Sequence, residues 1–158
     1  MPIKLDRIDK AILSLIQIEG RIPNLDLAER VGLSPSSCLR RVKRLEDSGA
    51  IRRYVALLNA GKIGLGITVF SRISLIAQDA ETVESFAQAM NALPQVVECH
   101  IMAGECDALL RVVARDLDDY RGFQMENLNR KNGVQTVKTD IPMQTVKMTT
   151  ELPLDNLR

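Results

Sequence analysis

Apolar residues in the first third of the chain recur at intervals of three and four. Ile8, Ile12, Leu15 and Ile16 predict a first helix over Asp6 to Glu19, ended by Gly20. Leu25, Leu27, Ala28 and Val31 predict a second helix, opened by Asn24 as N-cap and closed by Gly32. Ser34-Pro35 then supplies the strongest helix start in the chain, because serine caps free amides and proline at the first helical position forfeits no hydrogen bond. Cys38, Leu39, Val42 and Leu45 form the apolar stripe of this third helix, which runs to about Ser48 and stops at Gly49. Two helices separated by a short turn containing glycine make a helix-turn-helix. In the stretch that follows, Gly49 to Asn59, Ile51, Tyr54 and Val55 alternate with Arg52 and Arg53, predicting a short β-wing built as a strand pair.

After Asn59 the glycines Gly61, Gly64 and Gly66 punctuate the chain and the period changes from helical to alternating, which sets a boundary between residues 1–60 and 61–158. Gly66 to Ala77 reads as a half-buried strand. Ala80 to Ala92, with Val83, Phe86, Ala87 and Met90 at helical spacing, reads as a helix. Val96 to Ala103 and Asp107 to Ala114 are two β-rich runs joined by a tight connection, and hence an antiparallel hairpin. Asp116 caps a further helix through Arg130, and a final strand runs from Val134 to Met148, with Pro142 marking an edge or a bulge. The order βαββαβ is that of a ferredoxin-like sheet with helices on one face. Its other face needs a cover, and a second copy of the same sheet is the economical one. The fold class is therefore α+β.

Composition places the chain among folded globular proteins: 158 residues, 46% hydrophobic and 26% charged. No segment has the pattern of a signal peptide or a membrane span, so the cytoplasm is the expected compartment. The net charge of +1 conceals an asymmetry: residues 1–60 carry eleven Lys and Arg against seven Asp and Glu, whereas 61–158 carry ten against thirteen. The basic excess concentrates on the third helix, where the apolar stripe leaves Ser36, Ser37, Arg40, Arg41, Lys43 and Arg44 on the remaining surface. Such a surface, led by a Ser-capped N-terminus, suits a DNA major groove. Arg40 and Arg44, one turn apart, are the candidates for base edges, and Arg52 and Arg53 for phosphates.

Chemistry of other kinds is thinly represented. The three cysteines, Cys38, Cys99 and Cys106, lack CxxC spacing and read as reduced, buried thiols with no zinc or other metal site. The single histidine, His100, stands beside Cys99 in a predicted strand and reads as a structural residue. Asp116, Asp118 and Asp119 suit a helix start, and the three glycines after Asn59 lack the Lys-Ser/Thr that completes a phosphate loop. Two classes of function follow: a DNA-binding regulator, and a ferredoxin-like enzyme or thiol-based sensor in which Cys106 reacts and the basic helix is incidental. The second leaves Ser34-Pro35 and the basic face unexplained.

Three segments carry a resemblance: LDRIDKAILSLIQIEGR, NLDLAERVGLSPSSCLRRVKRLEDSGAIRRYVALLN and ECHIMAGECDALLRV. With them the chain closely resembles, over nearly its whole length, the Lrp/AsnC or feast/famine transcription regulators. The resemblance implies an N-terminal winged helix-turn-helix, with Ser34 among its DNA-facing residues, followed by a βαββαβ effector domain. It also implies a regulator without catalytic activity or cofactor, and homodimers that pair through their sheets and assemble into octamers or similar rings. A small effector, typically an amino acid, would bind between dimers at the turn Met102, Ala103, Gly104, Glu105, Cys106, Asp107 and Ala108, and near Thr139 and Ile141 of the last strand. Gly104 would let amides approach a carboxylate; Asp107 would hold an ammonium group directly or orient the loop. Cys106 and Ala108 depart from the aromatic residues common in the family, which implies a roomier pocket or a different effector.

Overall fold

The computed structural model describes residues 3–154, and the chain divides into two compact units, Met1–Leu57 with Lys147–Arg158, and Leu58–Val146. In the first unit, α1 (Arg7–Ile18) opens with a reciprocal cap: Asp9 N donates to Asp6 at 2.8 Å and Asp6 N donates to Asp9 at 3.1 Å. Helix α2 (Asn24–Arg30) starts one residue earlier than its sequence suggests, with Pro23 at the cap position. Asn24 is thus not a cap. Its Nδ2 donates instead to the Pro35 carbonyl at 2.9 Å, tying the start of α2 to the start of α3 (Pro35–Asp47).

The turn between them is a C-terminal cap of paired hydrogen bonds, Leu33 N to Ala28 O at 2.9 Å and Gly32 N to Glu29 O at 3.1 Å. This geometry requires the φ of +68° that Gly32 adopts. Ile12, Leu27, Ala28, Cys38 and Leu45 fill the core between the three helices.

The predicted strand pair after α3 does not form: no described residue between Asp47 and Ile67 belongs to a strand. One alternating run has no second run here to supply its hydrogen bonds. The segment is pinned to α3 instead, by Ile51 N to Leu45 O at 3.1 Å and by the Tyr54 hydroxyl donating to Glu46 at 3.0 Å.

The second unit is a four-stranded antiparallel sheet in the order β2-β3-β1-β4, formed by β1 (Ile67–Leu75), β2 (Val96–Ile101), β3 (Ala108–Ala114) and β4 (Val134–Asp140). Val69, Ile73, Leu110 and Val112 share the buried face with Phe86 and Met90 of α4 (Ala80–Asn91) and with Tyr120 and Phe123 of α5 (Leu117–Asn127). Buried Ser71 is satisfied by the Tyr120 hydroxyl at 2.9 Å, which also meets Thr139 Oγ1 at 3.0 Å, so one hydroxyl chain links β1, α5 and β4.

Helix α5 ends at Asn127, short of the predicted Arg130. Beyond it asparagine side chains compete for the backbone: Asn129 Nδ2 donates to Met125 O and Glu126 O, and Asn132 Nδ2 to Asn127 O. Strand β4 likewise stops at Asp140, not Met148, because Pro142 brings no donor to a ladder. Cys38 is buried, but Cys99 is exposed and Cys106 half-buried, which corrects the expectation of three buried thiols.

The tail from Lys147, which chain order assigns to the sheet domain, packs within the first unit. Leu152 N donates to Gln17 Oε1 at 2.6 Å, Gln17 Nε2 donates to Leu152 O at 3.3 Å, and Leu154 packs on the three-helix core. Deleting residues 147–158 is therefore expected to raise amide hydrogen exchange in α1 and to lower the stability of the first unit by about 1 kcal/mol, the scale of two exposed hydrogen bonds and one partly buried leucine. Exchange in β1 and β3 should not change. Unaltered protection in α1 would contradict this packing.

Candidate nucleic-acid interface and effector turn

Helical spacing sorts the side chains of α3 into stripes. Cys38 and Leu45 are buried and Val42 is half-buried, so Ser36, Arg40, Lys43 and Asp47, spaced at four, three and four, lie on the opposite, exposed side. Ser34 caps the helix and bonds the Ser37 hydroxyl at 3.0 Å. Arg41 and Arg44 occupy the flank beside α1, where acidic partners meet them. Arg41 Nη1 donates to Asp6 at 2.6 Å and to Asp9 at 2.9 Å, and Arg44 Nη2 donates to the second oxygen of Asp9. Asp9 is 1% exposed. A carboxylate so buried is tolerable only with charged partners, and two guanidiniums on one acid tie the flank of α3 to α1.

The predicted basic surface therefore separates into two kinds of residue. Arg40, Lys43, Arg52 and Arg53 are exposed and make no ion pair among the described residues. Arg41 and Arg44 are held, Arg41 with its guanidinium kept more firmly protonated by Asp6 and then Asp9.

The turn from Met102 to Asp107 is closed by Met102 N donating to Asp107 O at 2.9 Å. Asp107 N donates to Ile73 O at 2.9 Å. Both carboxylate oxygens of Asp107 are engaged within the fold, accepting from Leu75 N at 2.7 Å and from Gln78 Nε2 at 2.6 Å. This acid is the peg that seats the turn on the end of β1. Gly104 takes φ of +156°, a conformation open to glycine, and the amides of Ala103, Gly104, Glu105 and Cys106 have no partner among the described residues.

Thr139 and Ile141 are not brought to this turn within one chain. Thr139 opposes Ser71, two residues along β1 and two strands away from Ala108, so the separation is on the order of 10 Å. Ile141 lies farther on and is exposed. Gln78 and Tyr120 were not among the predicted site residues. Neither has a local sequence signal, since the groups they hold, Asp107 and Thr139, are distant in the chain.

Cys99 and His100 fall on opposite faces of β2, as neighbours on a strand must. His100 stands 3.5 Å from Glu98. The two do not form a nucleophile and base.

Residues 5–52 match the model for a winged helix-turn-helix DNA-binding domain, and residues 68–152 match the model for the Lrp/AsnC ligand-binding domain. The chain belongs to the Lrp/AsnC family of transcription regulators. It is 38% identical over 157 residues to the transcriptional regulator AzlB of Bacillus subtilis, covering 99% of this chain and 100% of that protein. With the leucine-responsive regulatory protein of Escherichia coli K12 it shares 41% over 148 residues, 94% of this chain and 90% of the other. Its fold superposes on that of a transcriptional regulator of Neisseria meningitidis, solved as an L-Met complex, with a TM-score of 0.92 at 39% identity, over 96% of this chain and 98% of that one. The protein is a transcription regulator with a DNA-binding helix-turn-helix and a small-ligand-binding domain. No described helix is long and apolar enough to cross a membrane.

The clamp carries a pH signature. Asp6 is held down at about 2, first by the Asp9 amide that donates to it and then by the Arg41 guanidinium. A carboxylate with a depressed value stabilises the fold above its ordinary range near ~3.9 and loses that contribution as the pH falls through the folded value. Carboxyl NMR should place the Asp6 midpoint at about 2 in the parent and part-way back in Arg41→Ala, where the amide remains. A parent midpoint in the ordinary aspartate range would contradict the clamp.

Proposed function

We propose that the protein is a cytoplasmic regulator, without catalytic activity, whose exposed α3 stripe reads DNA and whose sheet unit reports the supply of an amino acid. The observation that carries the DNA side of this reading is the division of the basic residues by Asp9. Arg40, with Ser36 and Lys43 beside it, faces the base edges of a major groove. Arg41 and Arg44, anchored on α1, and Ser34 and Ser37 at the helix start position the backbone through phosphates. Arg52 and Arg53 add phosphate contacts from the segment after α3.

On the effector side, the unpaired amides of Ala103 to Cys106 offer donors for a carboxylate. Asp107, with both oxygens engaged, orients that loop. Half-buried Cys106 borders the turn, whereas Ala108 is buried in the sheet core, so of the two only Cys106 is placed to leave space for the side chain. The L-Met complex of the Neisseria regulator supports an amino acid as ligand. Because Thr139 and Ile141 lie away from the turn of their own chain, we place them at the turn of a neighbouring copy. The sheet face that carries Arg72–Asp140 and Glu98–Arg111 pairs two copies, and such dimers assemble further, to an octamer or similar ring.

Two outcomes test this. On a duplex obtained by selection from random sequence, Arg40→Ala should lose roughly 1–3 kcal/mol, and less on unselected DNA. Arg52→Ala/Arg53→Ala should lose equally on both and flatten the salt dependence. Equal losses for Arg40→Ala on both duplexes would make it a phosphate contact. In a thermal-shift and sedimentation screen of the twenty amino acids, at least one should raise the melting temperature and alter assembly. Asp107→Ala should abolish that response while retaining DNA binding. A screen without a hit, or a fully responsive Asp107→Ala, would place the effector elsewhere.

A further inference from the structure

We propose that Leu39 is a specificity-determining residue that recognises the 5-methyl group of a thymine beside the base read by Arg40. The inference rests on the DNA-reading role of the α3 stripe and adds to it a second chemical class of contact, an apolar one.

Leu39 belongs by sequence to the apolar stripe of α3, but the structure leaves it 57% exposed while Cys38 and Leu45 are completely buried. It sits on the flank opposite Arg41 and Arg44, next to Arg40 and about one turn after Ser36. One edge of its side chain meets a small apolar hollow lined also by Ile16, Ile22, Leu27 and Val42. Tyr54 borders the same hollow, and the rest of Leu39 is exposed on the helix surface that also carries Ser36, Arg40 and Lys43. An isolated exposed leucine is ordinary on a protein surface. This one lies on the helix proposed to enter the groove, which is tied to α1 on its other flank by the pairs of Arg41 and Arg44 with Asp9.

Beside the hydrogen-bond donors and acceptors of the base edges, the major groove carries one methyl group, that of thymine. An apolar side chain presented to that groove gains contact with a methyl and strands unpaired donors or acceptors at the other bases. Arg40 and Leu39 are adjacent in sequence and project about 100° apart around the helix axis. Their targets are accordingly neighbouring positions of one half-site, a guanine for the guanidinium and a thymine for the leucine.

The test uses the full chain and its selected duplex, with each dT replaced in turn by dU, which removes the methyl and keeps every hydrogen-bonding group. One replacement per half-site should weaken the parent about fourfold, the worth of one buried carbon. Leu39→Ala should bind the dT duplex as weakly as the parent binds the dU duplex and should be indifferent to the replacement. Leu39→Met, which keeps an apolar reach, should retain a penalty. A parent indifferent to every dU, or a Leu39→Ala protein with the parent's full penalty, overturns the proposal. A selection that enriches no sequence overturns the DNA reading of α3 itself, and this inference with it.

Discussion

Asp9 is a buried acid in the first turn of α1, covered by two arginines of α3, and the arrangement of the basic surface follows from how it is met. Its carboxylate takes the Asp6 amide as part of the α1 cap and, across the helix interface, the guanidiniums of Arg41 and Arg44. Removing both arginines would leave a buried, uncompensated charge, a defect that costs on the order of 3–5 kcal/mol. The pairing therefore does more than hold α3 in place. It agrees with the way the buried stripe turns the helix: with 41 and 44 against α1, residues 36, 40 and 43 face outward and 39 lies at their edge. Hydrophobic contacts from Cys38 and Leu45 are non-directional and would tolerate a small rotation; the ion pairs resist it.

The sequence made the helices, their capping by Ser34-Pro35 and the order of the sheet legible, because these depend on local periodicity and on residues with strong positional meaning. It also marked the basic surface of α3. What it could not show is that two of those arginines are already spoken for. That depends on Asp6 and Asp9 arriving from about thirty residues away, with a pairing that α1 amphipathicity alone does not announce. The absent strand pair after α3 is a different kind of miss. Alternation in Ile51 to Val55 reports an extended chain but is silent on whether a partner strand exists. At Asn127 to Asn132 the pattern continues as helix while asparagine side chains take over the backbone carbonyls, a competition that periodicity does not register.

The sheet unit shows the same distinction between marking a residue and knowing its role. In sequence, Gly104 and Asp107 mark a turn and leave two roles open to Asp107. The structure uses both oxygens of that acid to join the turn to β1 and Gln78, leaving the loop amides as the groups still free to meet an anion. Thr139 was marked as a lining residue, and its hydroxyl is bonded to Tyr120 inside the fold. Beyond β4 the chain passes back to the first unit, where the Leu152 backbone bonds Gln17 of α1 and Leu154 packs on the three-helix core. The chain thus passes between the two units twice, after Leu57 and after Val146.

We propose that Asp9 divides the arginines of α3 into those that stay with the protein and those that go to the bases. A crystal structure of the full chain on its selected duplex tests it most directly. The account predicts Arg41 and Arg44 still paired with Asp6 and Asp9, touching no more than phosphate, while Arg40 lies on a base edge. Arg44 released from Asp9 and bonded to a base, with Arg40 in solvent, would contradict it.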